Sequence, residues 1–317
     1  MVAAVIVGEL GAYAFQPNSY SADAEWDGGS VRYSVASNGS DGFTVIAMTG
    51  SSVVEDLRIY IDENFDDNLE EARGYCEVLG FDQKDMADQL TKQLSMRGFG
   101  NVSETDSVGL NDFVASTVSD PSGKGIFVIG YALPSSVYSG DAADPLFDWI
   151  KNGGRLYWAA SDIGRFYTDG SGVHEVADNQ ELFFGMSGCI YSGSDKATDT
   201  EDTFCAPFCI QNNRMEHAVS TSVPGSLPIG YIHEGYASVS LIGMGSGCVC
   251  VFSGDLPIRE TEDMAQVVAA GLTDDTVIVS MVSGEVKGTR SGTLEGTSNS
   301  AYVFIGGVNT VFGRFFK

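Results

Sequence analysis

The chain is 317 residues long, 43% hydrophobic, and carries 43 acidic against 17 basic residues, a formal net charge of −26. That size and apolar content suit one large or two modest folded domains, and the acidity excludes nucleic acid and anionic membrane surfaces as partners, because both would repel it. No stretch reaches the roughly 18 apolar residues of a membrane span, so an integral membrane protein is not expected.

Residues 1–14, MVAAVIVGELGAYA, are apolar and close in the small-x-small pattern Ala12-Tyr13-Ala14. They read as the remnant of a secretory signal, with a buried first strand as the alternative. Residues 15–54 predict an N-terminal β segment: AEWDGGSVRYSV, a Gly/Asn/Ser turn, then FTVIAM, which is hairpin patterning. An α/β domain is expected over 55–271. Leu57 to Asp62 is its first strand, 64–80 an acidic insertion, and Asp82 to Arg97 a helix with Met86, Leu90 and Leu94 inward, capped by Asp82 and stopped by Gly98. A short strand near Val102 and an apolar segment from Leu110 to Val118 continue the alternation.

The stretch from Ile126 to Tyr167 carries the architecture. It holds a continuous apolar run, a segment DPLFDWIKNGG, and a second apolar run RLYWAA. Strands buried on both faces lose polar alternation, so this is a β-α-β crossover with two parallel strands. Asp144 is placed to cap its helix, Pro145 sits at N1, and Gly153 follows the last turn. Beyond it come a helix from Glu175 to Phe184, a cysteine-bearing loop over 187–209, strands over 228–233, 238–243 and 248–254, and a helix from Thr261 to Gly271 with Met264, Val267 and Val268 inward. Residues 272–317 predict a C-terminal β segment that joins the N-terminal one in a β layer. The fold expected is a three-layer α/β sandwich with a mostly parallel sheet, flanked by β-hairpins from both termini.

Chemistry is sparser. The six cysteines lack the paired spacing of a zinc ribbon and only three histidines are present. Disulfides drawing on Cys189, Cys205 and Cys209 are expected if the chain is exported, and buried free thiols if it is not. Asn38 and Asn101 open glycosylation sequons. Asp195, Asp199 and Asp202 crowd one loop as calcium candidates, but without EF-hand spacing they read as a solvated acidic loop. Gly243-x-Gly245-x-Gly247 lacks a following helix to hold a phosphate and reads as a hairpin turn. Because open α/β sheets bind ligands at the carboxyl edge of their strands, Gly130, Tyr131, Asp162 and Arg165 are the ligand-edge candidates. Asp162 is expected to cap the following turn; the alternative is a ligand-facing carboxylate converging with Tyr131, Ser161 and Arg165.

LRIYID, GIFVIGYALP, DWIKNGGRLYWAASDIG and GCVCVFSGD, in that order, resemble the flavodoxin-like domain of class I glutamine amidotransferase-like proteins, in particular divergent uncharacterised members found in secreted and surface proteins. The phrase from Trp149 to Leu156 is the most telling. In the active family a Gly-x-Cys-x-Gly elbow follows this strand and a His-x-Glu pair comes late. Here Asp162 falls where the cysteine would, and the late strand ends Phe252-Ser253-Gly254-Asp255 without histidine. The resemblance therefore implies the fold without the amidotransferase reaction. The expectation is a non-catalytic secreted or cell-surface binding or structural protein, with no cofactor and with a surface protein or glycan as ligand. The alternative is a hydrolase at the carboxyl edge, with Ser161 as nucleophile, His233 or His174 as base and Asp162 beside them.

Overall fold

The computed structural model describes residues 53–62, 83–129, 131–159, 161–197, 210, 213–254 and 261–276 with their side chains, and the backbone of 257–260, 277–282 and the strands at 20–26, 29–37, 43–49, 285–288, 300–305 and 309–314. The signal-like start, the acidic insertion over 64–80, Asp82, Asn38, Gly130, Cys76, Cys205, Cys209, Asp199 and Asp202 lie outside the described residues.

Two compact units are present, one of residues 1–51, 96–98 and 275–317, the other of residues 52–95 and 99–274. The first begins with β1 (Tyr20–Trp26), β2 (Gly29–Ser37) and β3 (Phe43–Thr49), an antiparallel meander. A single hairpin was expected here, but the AEWDGGSVRYSV run divides between β1 and β2. Asp-Gly-Gly is itself a hairpin signal.

In the second unit the chain runs β4 (Asp56–Tyr60), α1 (Gln83–Met96), β5 (Val102–Thr105), α2 (Ser107–Thr117), β6 (Lys124–Ile129), β7 (Ala132–Pro134), α3 (Pro145–Lys151) and β8 (Arg155–Ala159). Then follow β9 (Phe166–Asp169), β10 (Gly172–Glu175), α4 (Asn179–Phe184), the two-residue strands β11 (Val219–Ser220), β12 (Leu227–Pro228), β13 (Ile232–His233) and β14 (Tyr236–Ala237), then β15 (Val239–Met244), β16 (Gly247–Phe252) and α5 (Pro257–Ala270). A seven-stranded sheet has the order β12-β15-β16-β8-β6-β4-β5. Its five strands from β16 to β5 are parallel, while β15 and β12 add antiparallel. This is a mixed α/β fold around a large, mostly parallel sheet.

The crossover shows why its strands are apolar throughout. Ile126, Val128, Leu156 and Trp158 join one core with Phe113 of α2 and Trp149 and Ile150 of α3. Phe127, one residue out of phase, stacks on the other face with Tyr157 and with Phe252, at ring-centroid distances of 5.7 and 5.8 Å. Strand side chains alternate faces, so two buried faces demand an unbroken hydrophobic run. The Gly153-Gly154 pair closing α3 has two separate causes. Gly153 adopts φ +122°, and a Cβ on Gly154 would collide with the Trp149 ring.

Local corrections follow. Asp144 occupies the N-cap position before Pro145 but does not cap: its carboxylate turns back to accept from the Ser139 N–H at 2.7 Å, the Ser139 hydroxyl at 2.8 Å and the Asp141 N–H at 2.9 Å. The expected 175–184 helix is only α4, because Phe166 to Glu175 instead makes the β9-β10 hairpin. In the β15-β16 hairpin a Cβ on Gly245 or Gly247 would meet the carbonyls of Lys151 or Ile150, so those glycines serve close approach to the end of α3. Two more strands, β17 (Val277–Val282) and β18 (Glu285–Gly288), return to the first unit, where β17 pairs antiparallel with β3. The hairpin of β19 (Ser300–Ile305) and β20 (Asn309–Arg314) ends it.

Candidate functional site

Strands β8 and β16 are parallel neighbours, so their carboxyl ends, Ser161-Asp162 and Ser253-Gly254, lie side by side. A ligand would meet the sheet there. A strap of residues 214–217 crosses both ends. The Ser253 hydroxyl donates to the Arg214 carbonyl at 2.6 Å, and the Gly254 N–H donates to the Glu216 carbonyl at 2.8 Å. On the β8 side, His217 Nδ1 meets Asp162 Oδ1 at 2.8 Å. Met215 and Ala218 are fully buried beneath, packed in a small cluster with Ala197, Tyr191, Tyr231 and Tyr236.

His217 holds φ +62°, a left-handed conformation unusual for a residue with a Cβ. The strap thus places its imidazole on Asp162 against local backbone preference. Arg165 approaches the same carboxylate at 3.9 Å and pairs with Glu175 at 3.1 Å, while its guanidinium lies over the Phe166 ring. Asp162 is therefore a side-chain partner rather than the expected backbone cap.

Ser161 is 2% exposed, and its hydroxyl and carbonyl both accept the Trp158 indole N–H at 3.1 Å. That is a packed position, closed to a substrate. The imidazole beside Asp162 belongs to His217, not to His233, which sits in β13 with its ring edge-on to Tyr191 at 6.0 Å. Tyr131 is buried at the end of β6. The structure therefore joins Asp162 with Arg165 and adds His217, which sequence patterning had passed over. Fifty-five residues separate the pair, and nothing in Asn213-Arg214-Met215-Glu216-His217 signals a left-handed turn.

The described cysteines are elsewhere. Cys248 and Cys250 are buried free thiols inside β16, and Cys189 is a free thiol whose Sγ donates to Gln180 Oε1 and the Met186 carbonyl, both at 3.4 Å. Cys205 and Cys209, the other two cysteines of the expected disulfides, lie outside the described residues. Burial pushes the Cys248 thiol up to about 12 and raises Cys250 well above its ordinary value, so neither supplies thiolate near neutrality. Asp195 is exposed and accepts from the Tyr191 hydroxyl at 2.7 Å. Among the described residues no group of three His, Cys, Asp or Glu could hold a metal ion, and no helix is long and apolar enough to cross a membrane. Asn101 is exposed just before β5.

No protein-family model and no curated protein sequence matches the chain. Among solved structures, it is similar to the exo-beta-1,4-mannosidase Op5Man5 from Opitutaceae bacterium strain TAV5, at 15% identity and a TM-score of 0.40, over 69% of this chain. The chain spans 36% of that protein's length, and a likeness this loose carries no argument about fold or activity.

Proposed function

We propose that this chain is a non-catalytic binding module, exported or displayed at a cell surface, built on a divergent class I amidotransferase-like fold. The parallel strands support the fold reading: β5-β4-β6-β8-β16 is the order 2-1-3-4-5 of flavodoxin-like sheets, with helices expected on both faces as three layers. The Trp149 to Leu156 phrase agrees, since Gly153 turns the chain at φ +122° and Gly154 lets it pass the Trp149 ring, both architectural roles.

One observation carries the functional half. The strap of residues 214–217 spans the ends of β8 and β16, where the related enzymes would present nucleophile and base, and it ties those ends to each other. Nucleophilic catalysis needs an accessible nucleophile within reach of a base. The edge holds Asp162 and a packed Ser161 instead. The test is ammonia release from glutamine by the purified chain, for which no rate above the enzyme-free blank is expected; a rate that Cys250→Ala or Cys248→Ala abolishes overturns the reading. Export is tested separately by a mass loss on enzymatic deglycosylation of native material, mapped to Asn101 or Asn38.

The Asp162–His217 pair favours a second reading, the carboxyl-edge hydrolase, because a carboxylate on Nδ1 is how a general-base imidazole is oriented. Turnover of activated esters that His217→Ala and Ser161→Ala both remove would establish it in place of the first.

A further inference from the structure

The start of α2, the loop after β7 and the β9-β10 turn line an open cleft of about 620 Å³, within the roughly 300–1,000 Å³ of small-molecule sites. None of its lining residues belongs to the strap. The turn is tightly built. Asp169 pairs with Gly172 in the hairpin, and its Oδ1 accepts from the Ser171 N–H and hydroxyl, both at 2.7 Å, and faces His174 Nε2 at 3.0 Å. His174 is stacked on Tyr167 with centroids 4.8 Å apart. These partners, the Ser171 hydroxyl first, hold the Asp169 carboxyl well below the usual carboxylate range, so it stays charged. Ser171 Oγ and Asp169 Oδ1 both face the same imidazole nitrogen, His174 Nε2. A nucleophile relay needs the base between serine and carboxylate on opposite nitrogens, so this trio shapes a turn and does not activate Ser171.

We propose that this cleft binds a neutral saccharide. The inference rests on the binding-module reading and gives its ligand class. Asp169 Oδ2 takes none of the turn's hydrogen bonds and is available to ligand hydroxyls. The Asn111 carboxamide and the Ser135 and Ser136 hydroxyls, all lining the cleft, have no side-chain partner among the described residues. Val108, 67% exposed, adds a small apolar surface suited to the C–H face of a sugar ring. Drug-like apolar ligands favour mostly apolar walls, and this lining is mostly hydroxyl, amide and carboxylate. Anions are disfavoured three times: by the net charge of −26, by Asp169, and by Asp106, whose carboxylate already takes the Gly109 N–H at 2.8 Å at the start of α2. A ligand rich in neutral hydroxyls answers all of these groups.

The experiment titrates the full chain by calorimetry and amide chemical-shift mapping with cello-, laminari-, manno- and chito-tetraose, with trigalacturonate as the acidic counterpart and with calcium chloride alone. At least one neutral tetraose is expected to bind and to shift amides of residues 107–111, 135–136 and 168–172. Trigalacturonate is expected to bind more weakly than that tetraose. Asn111→Ala and Asp169→Asn are each expected to weaken the neutral sugar about tenfold, the loss of one good hydrogen bond to ligand, while Lys92→Ala on α1 leaves it unchanged. Absence of binding by all four neutral sugars, binding that neither substitution weakens, or calcium alone producing the same shifts overturns the proposal. None of these outcomes touches the glutamine assay, so a failure here and a failure of the non-catalytic reading remain separate.

Discussion

The carboxyl edge of β8 and β16 and the cleft beside α2 are both polar places at the rim of the same α/β unit, yet they are built in opposite ways. At the edge nearly every polar group faces another protein group: Asp162 meets His217 and Arg165, Ser253 meets Arg214, and Ser161 meets Trp158. In the cleft the turn consumes one oxygen of Asp169 and leaves the side chains of Asn111, Ser135 and Ser136 unengaged. Polar groups that satisfy one another add rigidity, whereas groups left to solvent are available for recognition. The edge therefore should resist mutation through stability, and the cleft through binding.

That contrast fails most visibly if the edge proves tolerant. Trp158→Ala removes a fully buried ring and the donor to Ser161, and should cost about 3–5 kcal/mol in urea denaturation. A cost below about 1 kcal/mol, the ordinary level for a surface change, would mean that the edge is loosely packed and open to a ligand after all.

A second test uses pH. The Cys248 thiol is raised to about 12 and Cys250 is raised well above its ordinary value, both by burial, so the folded state keeps both protonated while the unfolded chain releases them near 8.5. Their contribution is fully present below that unfolded value and is lost as pH rises toward the folded one. Stability should fall from about pH 8.5 upward, by at most about 1.4 kcal/mol per pH unit for each thiol. Cys248→Ala should flatten the slope. An unchanged slope would place the thiols in contact with water.

The strap allows a finer comparison. Replacing His217 by glycine or by alanine removes the Asp162 contact equally, but only alanine must pay for φ +62°. The glycine variant should be more stable than the alanine variant by about 1 kcal/mol; equal stabilities would show that the left-handed turn is not retained. At the bottom of the scale, Ser136→Ala in the cleft should change stability by no more than about 0.5 kcal/mol while weakening any cleft ligand, as thermal melts with and without a bound tetraose would show.

The unbroken apolar runs at Ile126 and Leu156 made the crossover legible, because only strands buried on both faces tolerate them, and the four-residue spacing of Met86, Leu90 and Leu94 made α1 legible as well. The β9-β10 hairpin differs from expectation although Asp169-Gly170 lies between alternating residues; the helix expected from Glu175 overlaps the last residue of β10. The short strands β11 to β14 carry too few residues for a period to show. At the site, Asp162, Ser161 and Arg165 could be singled out from their place after a strand. His217 could not, since its role depends on a turn conformation and on a contact fixed only when the strap crosses β8 and β16. Asp144 misled for a related reason: an ideal cap position was outcompeted by the nearer amides of Ser139 and Asp141.

The pairing of β3 with β17 sets a condition on biosynthesis. Thr49 meets Val277 across the ladder, yet the whole α/β unit is translated between them. While the ribosome makes that unit, β3 waits with a free edge, the kind of surface that recruits foreign strands. The α/β unit has all its own strands by Phe252 and can collapse first, which brings its two ends together and lowers the entropy of closing so long a loop. A chain truncated before Val277 would leave β3 without that partner, and should aggregate through the N-terminal meander even with the α/β unit intact.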